Sequence, residues 1–218
     1  MKTNRLIVLF LVLLMTPVLY GQNILYSTYS DLLSNEGDTI KFLIIEKRSK
    51  GSRLSVGGVD YRISDPERVL NKYLRTQCLA VKSSNQLYLN CRNLRYNKMK
   101  FGRGYAPAFL INQYVYFTAL PIGSVAGSST SKKIDIKLGG ELGDALASAG
   151  MVDERVFYRL NLLTGKTSFV CKKTMCDLLE DYPEKLTEFL NESSLESSCL
   201  KPYLYFLQKG GLSTKEGE

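Results

Sequence analysis

Ala108-Phe109-Leu110-Ile111-Asn112-Gln113-Tyr114-Val115-Tyr116-Phe117-Thr118 joins two apolar, β-branched and aromatic runs through a two-residue polar break. That pattern reads as a β-hairpin turning at Asn112-Gln113. It recurs along the chain. Cys78–Lys82 and Leu87–Cys91 flank Ser84-Asn85, and Arg155–Leu162 and Thr167–Lys172 turn at Thr164-Gly165. Arg53–Val56 and Val59–Ile63 flank Gly57-Gly58, a favourable pair for a primed turn. Alternation there puts Leu54, Val56, Val59, Tyr61 and Ile63 on one face, and Arg53, Ser55, Asp60 and Arg62 on the other. Thr39–Glu46 reads as a well-buried strand and Ile134–Leu138 as a further one.

Helical signals are fewer. Ser64-Asp65-Pro66-Glu67 combines a capping residue, an early proline and an acidic first turn, so a helix is expected to about Arg75. Its apolar face would hold Val69, Leu70, Tyr73 and Leu74. Glu141–Ala149 is expected as a short helix ended by Gly150. From Thr174 to Gln208 the period is helical, with Leu178, Leu179, Leu186, Phe189 and Leu190 apolar; Pro183 and the Asn191–Ser194 stretch divide it into about three pieces. Strands outnumber helices, their links are short, and the helices gather late. The expected fold is therefore α+β: a mainly antiparallel sheet of two-residue-turn hairpins with a helical C-terminal third packed on it.

Met1 to Gly21 has the layout of a secretory signal peptide: Lys2 and Arg5, an apolar run from Leu6 to Met15, Pro17, then a small residue before Gln22. The apolar run is well short of the roughly 20 residues that span a bilayer, so cleavage between Gly21 and Gln22 is expected, and no transmembrane anchor. The first cysteine is Cys78, so no lipid attachment is expected at the new N-terminus. Residues 22–209 form the expected domain, with a subdivision left open at the Gly/Ser-rich loop 124–133 and a disordered tail over 210–218. The expected location is the periplasm or outside the cell.

Composition narrows the chemistry. The chain has 218 residues, 44% hydrophobic and 23% charged, with a formal charge of +8 that falls by two when Lys2 and Arg5 are removed. A modest basic excess in an exported protein favours acidic glycan or envelope partners over nucleic acid. No histidine is present, which removes Ser-His-Asp and Cys-His catalysis and histidine-based zinc sites. No tryptophan is available to stack on sugars, although there are 14 tyrosines. Ser129-Thr130-Ser131-Lys132 matches the Ser-x-x-Lys nucleophile motif but lies in a Gly/Ser-rich loop without the companion motifs. Gly139-Gly140-Glu141-Leu142-Gly143 lacks dinucleotide-binding spacing and reads as a helix-end glycine cluster. Neither cofactor nor metal is expected. Paired carboxylates are the acid–base chemistry left, from among Glu46, Asp60, Glu141, Asp144, Asp153 and Glu154, and nothing singles out a pair.

All five cysteines follow Gly21. Counting outward from Ser84-Asn85 sets Cys78 opposite Cys91 at a non-hydrogen-bonded position, close enough for a disulfide worth roughly 3 kcal/mol. Cys171, Cys176 and Cys199 have no diagnostic spacing, and the odd count leaves one thiol free or paired between chains. The candidate binding surface is the stretch from Arg92 to Tyr105. There Arg92, Arg95, Lys98, Lys100 and Arg103 are interleaved with Tyr96, Phe101 and Tyr105, around Gly102 and Gly104.

Four stretches carry a resemblance to uncharacterised secreted proteins of Bacteroidales, a domain of unknown function. They are Lys47-Arg48-Ser49-Lys50-Gly51, Tyr88-Leu89-Asn90-Cys91-Arg92-Asn93-Leu94-Arg95-Tyr96, Phe101-Gly102-Arg103-Gly104-Tyr105-Ala106, and the Leu-Leu-x-x-Tyr-Pro run of Leu178–Pro183. The resemblance implies a Gram-negative anaerobe and supplies no activity. Asp38-Thr39-Ile40 also resembles an O-glycosylation acceptor of that phylum, beside its reading as a strand entry. The functional expectation is a non-enzymatic binding or interaction module of the cell envelope. The alternatives are a carboxylate-dependent hydrolase of envelope or dietary glycan, and a scaffold paired through its odd cysteine.

Overall fold

The computed structural model describes residues 22–56, 59–120, 155–193, 195 and 197–210. The Ser-x-x-Lys motif, the glycine cluster, the 134–138 strand and the 141–149 helix lie outside the described residues. Alternation along Tyr105–Ile111 (β9) and Tyr114–Ala119 (β10) buries both faces of the hairpin, and Ile111 pairs with Tyr114 as expected. Around it, antiparallel pairing builds one long sheet. Val156–Asn161 (β11) and Thr167–Phe169 (β12) extend it beyond β10. On the other edge of β9 come Gln86–Asn90 (β6), Ala80–Ser83 (β5), Asn23–Tyr26 (β1) and Asp38–Ile40 (β2). The α+β architecture is as expected, mostly antiparallel with helices at the C-terminal end.

The edge of β9 that carries β10 at Ala108–Ile111 is taken over at Tyr105 by a second hairpin, Ile44–Lys47 (β3) and Tyr61–Ser64 (β4), through the single pair Tyr61–Tyr105. This corrects the hairpin expected at Gly57-Gly58. β4 is a strand, but its partner is β3, and Lys50–Val56 is a helix (α2). Ser49 decides the difference: its hydroxyl accepts the Ser52 N–H at 3.2 Å, and its carbonyl the Arg53 N–H. That closes a first helical turn where a strand would leave these groups open. The buried strand expected over Thr39–Glu46 is also corrected. It breaks at residues 41–43 into β2 and β3, and Phe42 and Ile44 are exposed.

The two sheet faces bury different layers. On one, Tyr26, Leu89, Cys91, Ala108, Phe117 and Tyr158 are roofed by Tyr29–Ser34 (α1) and by Leu94 and Phe101. Thr28 and Asp31 close α1 with a reciprocal capping box. On the opposite face, the three C-terminal helices Lys172–Leu178 (α4), Pro183–Leu190 (α5) and Ser197–Gly210 (α6) pack Met175, Leu179, Phe189 and Leu204 onto Phe109, Tyr116 and Phe157. Farther along that face, Leu25, Ile63, Leu74, Val81 and Tyr105 form a third cluster under Asn71–Thr76 (α3) and the β3–β4 hairpin. Pro183 opens α5, as its first-turn preference dictates.

Three further expectations change. The helix expected from Pro66 begins only at Asn71, because Asp65 organises a turn instead: its carboxylate accepts the Glu67 and Leu70 N–H groups, and its own N–H donates to Asn71. Val69 consequently sits on that turn, 77% exposed. The last hairpin closes with a longer loop, since the Asn161 N–H donates to the Lys166 carbonyl and the Asn161 side chain accepts from Leu163 and Thr164. Finally, Cys78 and Cys91 are both free and buried. The register is the expected one, with Ser83 opposite Gln86, but the ladder stops at Ala80. Cys78 still belongs to the return from α3, its N–H bonded to the Tyr73 carbonyl. The two thiols consequently enter layers on opposite faces of the sheet.

Those positions predict thiol reactivity. Burial pushes the Cys78 thiol up to about 11 and the enclosed Cys91 higher still. Exposed Cys171 sits at the N-cap of α4. Its partial burial acts upward, but the Thr174 hydroxyl and backbone N–H groups outweigh it and hold the thiol below its ordinary value. Iodoacetamide at neutral pH should therefore alkylate Cys171 first, and Cys78 and Cys91 only after denaturation, as read by peptide mass spectrometry. Protection of Cys78 and Cys91 that persists in denaturant and yields to reductant would mean they are bridged.

Candidate anion-binding cleft

The β3–β4 hairpin leans on β9 through one residue pair, and the gap beside that junction is a cleft of about 390 Å³. Five arginines line it: Arg48, Arg62, Arg75, Arg92 and Arg103, and among the described residues no carboxylate lines it. They arrive from five places, namely the end of β3, β4, the last turn of α3, the exit of β6 and the turn into β9. Tyr61, Ile63 and Tyr105 give the cleft its apolar surface.

Arg48 is the fastener of the group. Its guanidinium donates to the carbonyls of Val59, Arg103 and Ser52 at 3.0–3.2 Å, so three chain segments are tied to one side chain. Burial, together with the nearby Arg53 charge, lowers its pKa, while Asp60 acts in the opposite sense. Asn90 positions two more. Its side-chain amide donates to the carbonyls of Leu74 and Cys78, and its oxygen accepts the Arg92 N–H at 3.1 Å. Tyr105 Oη donates to the same Leu74 carbonyl, so the end of α3 that carries Arg75 is held from below by two donors.

Beside the cleft, Asp60 joins Arg155, which engages both carboxylate oxygens, and Arg53 at 3.1 Å. Burial raises the Asp60 pKa, but the two guanidinium groups, Arg155 first, bring it below the ordinary carboxylate value. Asp60 is thus held by Arg53 and Arg155 and does not itself line the cleft.

The candidate surface from Arg92 to Tyr105 is divided by the structure. Arg92 and Arg103 join the cleft. Arg95, Tyr96, Lys98 and Lys100 belong to a separate two-stranded ribbon, Arg95–Tyr96 (β7) and Met99–Lys100 (β8) with its turn, and do not line it. The aromatics interleaved in this stretch pack mainly onto the core. Phe101 is 5% exposed and packs edge-on to Tyr158 at 4.7 Å and Phe117 at 5.1 Å, and Tyr96 lies 5.3 Å from Tyr158. Tyr105 is 2% exposed beneath the cleft. Burying such rings contributes about 1.5–3 kcal/mol each, which is why the segment folds down onto the sheet. Arg48, Arg62 and Arg75 were not among the expected site residues. For Arg62 the signal was present in the alternation, which had set it opposite Ile63.

Of the expected carboxylates, Asp60 is engaged as described, and Glu46 is exposed opposite Arg62 in the β3–β4 ladder. Glu141, Asp144, Asp153 and Glu154 lie outside the described residues. Asp31, Glu36 and Asp38 border another hollow, where Asp31 is committed to the α1 capping box. Thr39 is exposed on edge strand β2. Among the described residues no group of three or more metal-ligating side chains comes together, and no helix is long and apolar enough to cross a membrane.

Fold and cleft together describe a mainly antiparallel α+β module with a candidate anion site at a strand junction. The chain belongs to a family of unknown function, DUF6563, whose model matches residues 24–211. No curated protein and no solved structure matches it.

Proposed function

We propose that this chain is an exported, non-enzymatic binding module of the bacterial cell envelope, a single domain over 22–209 behind a cleaved leader. In this reading the arginine cleft holds an acidic partner, either a glycan or the acidic segment of an envelope protein. The observation that carries it is the gathering of five arginines around one cleft that no described carboxylate lines. Like charges so placed repel one another, and an arriving anion relieves that repulsion while engaging guanidinium forks. The leader pattern supports export, and both the first strand and the family match start within a few residues of Gln22. Cleavage after Gly21, periplasmic or extracellular location, and a Bacteroidales-type host are parts of the same proposal.

The test is calorimetric titration of the chain, produced with its own leader, against short acidic oligosaccharides and acidic peptides. Binding is expected to weaken with salt, and the Arg92→Ala, Arg103→Ala double variant should lose about tenfold or more in affinity. Indifference to every anion would end the reading. Release of new reducing ends from the glycans would instead bring back the carboxylate-dependent hydrolase.

A further inference from the structure

Resting on the anion-binding reading of the cleft, we infer its ligand chemistry: clustered phosphate esters on one compact body, in preference to the carboxylates of a uronic-acid chain. Size comes first. At about 390 Å³ the cleft lies near the lower end of small-ligand sites, so its arginines face one small molecule or one headgroup and not a long polymer.

Charge comes next. Arg48 is committed to carbonyls, which leaves Arg62, Arg75, Arg92 and Arg103 around the opening. Glu46 faces Arg62 across the ladder and offsets part of its charge; Arg75 donates its Nε to the Asn71 carbonyl, an uncharged partner that leaves its positive charge in place. A uronate brings one negative charge per sugar ring, so matching three or four cations would take a chain of rings longer than this cleft. A phosphate monoester brings about −1.5 to −2 at neutral pH, so two of them suffice within one small molecule.

Direction agrees. A carboxylate is planar, with two oxygens that one or two guanidinium forks saturate. A phosphate monoester presents three oxygens pointing apart, which suits arginines arriving from four separate segments. The Tyr61 and Ile63 side chains supply an apolar wall for the body that carries the phosphates. The same chemistry occurs in a soluble phosphorylated saccharide and in a phosphomonoester lipid headgroup.

The experiment titrates the chain, produced with its own leader, with glucose 1,6-bisphosphate, with digalacturonate, and with phosphatidylcholine vesicles with and without phosphatidylinositol 4,5-bisphosphate. The bisphosphate is expected to bind about thirtyfold or more tightly than digalacturonate. Arg103→Lys, which keeps the charge and loses the fork, should weaken bisphosphate binding severalfold, and Lys98→Ala should leave it unchanged. Circular dichroism of each variant guards against misfolding. Tighter binding to the bisphosphate-lipid vesicles at matched headgroup concentration would identify a lipid headgroup; preference for the free bisphosphate would identify a soluble saccharide. Both uphold the inference. Digalacturonate binding as well as or better than the bisphosphate overturns it while the anion-binding reading stands. Failure of all three ligands overturns the inference, and the anion-binding reading falls with it when the acidic peptides fail as well.

Discussion

Replacing Asp60 by alanine is expected to destabilise the fold by about 3–5 kcal/mol, because it removes from a nearly buried site the carboxylate that two guanidinium groups engage. The side chains of Asp60, Arg53 and Arg155 are 13%, 12% and 10% exposed, so solvent does little to replace the lost carboxylate. The three residues join the last turn of α2, the entry of β4 and the entry of β11, which ties the β3–β4 hairpin to the β10–β11 side of the sheet. Asp60→Asn should cost less than alanine, since it retains part of the hydrogen bonding. Urea unfolding at neutral pH measures both, and a loss under about 1 kcal/mol for alanine would show that the triad is not holding the hairpin.

The same group predicts a pH dependence. The Asp60 pKa is lowered in the folded chain, so the unfolded chain takes up its proton first as pH falls. Its contribution is therefore fully present above the ordinary carboxylate range and is lost as pH falls through the lowered folded value. The wild type should lose stability across that acid window, and Asp60→Asn should show a flatter profile there. Parallel profiles would contradict the assignment.

Gly104→Ala is the second large effect, expected at about 2–4 kcal/mol. Gly104 has φ of +113°, which side-chain-bearing residues rarely adopt, and an added Cβ would stand 2.7 Å from the Tyr61 carbonyl oxygen. Backbone cannot swing aside as a side-chain tip can, so β4 must move off β9. Because the Tyr61–Tyr105 pair is the junction beside which the cleft lies, the variant should also lose anion binding. Gly51→Ala is the control: it lies in α2 with nothing within 4 Å of the added Cβ, and should be neutral or stabilising by about 0.5–1 kcal/mol. Equal effects at the two glycines would mean that the close approach at Tyr61 carries no energetic weight.

The hairpins at Ser84-Asn85 and Asn112-Gln113 were legible because alternation, turn residues and burial all agree locally. Where local signals competed, the side-chain hydrogen bonds won. Ser49 opened a helix over the residues 53–56 that had been expected as a hairpin strand, and Asp65 wound a turn where Pro66 had suggested a helix. The Cys78–Cys91 expectation carried a correct register two residues past the end of its ladder, to a residue governed by α3. In the Arg92–Tyr105 stretch, composition showed basic and aromatic residues together but could not separate their destinations: Phe101 and Tyr105 lose water by folding inward, while Arg92 and Arg103 retain it.

Period and turn chemistry act between residues a few positions apart, and these were enough in the sequence for an α+β chain rich in antiparallel hairpins with its helices late. The cleft is of another kind. Arg48, Arg62, Arg75, Arg92 and Arg103 span more than fifty positions and share no local pattern; they meet because β4 pairs with β9 at Tyr105 and Asn90 anchors the end of α3. Those are long-range backbone contacts, chosen by which strand edges and carbonyls remain open once the local elements have formed. Only the assembled sheet could make that choice.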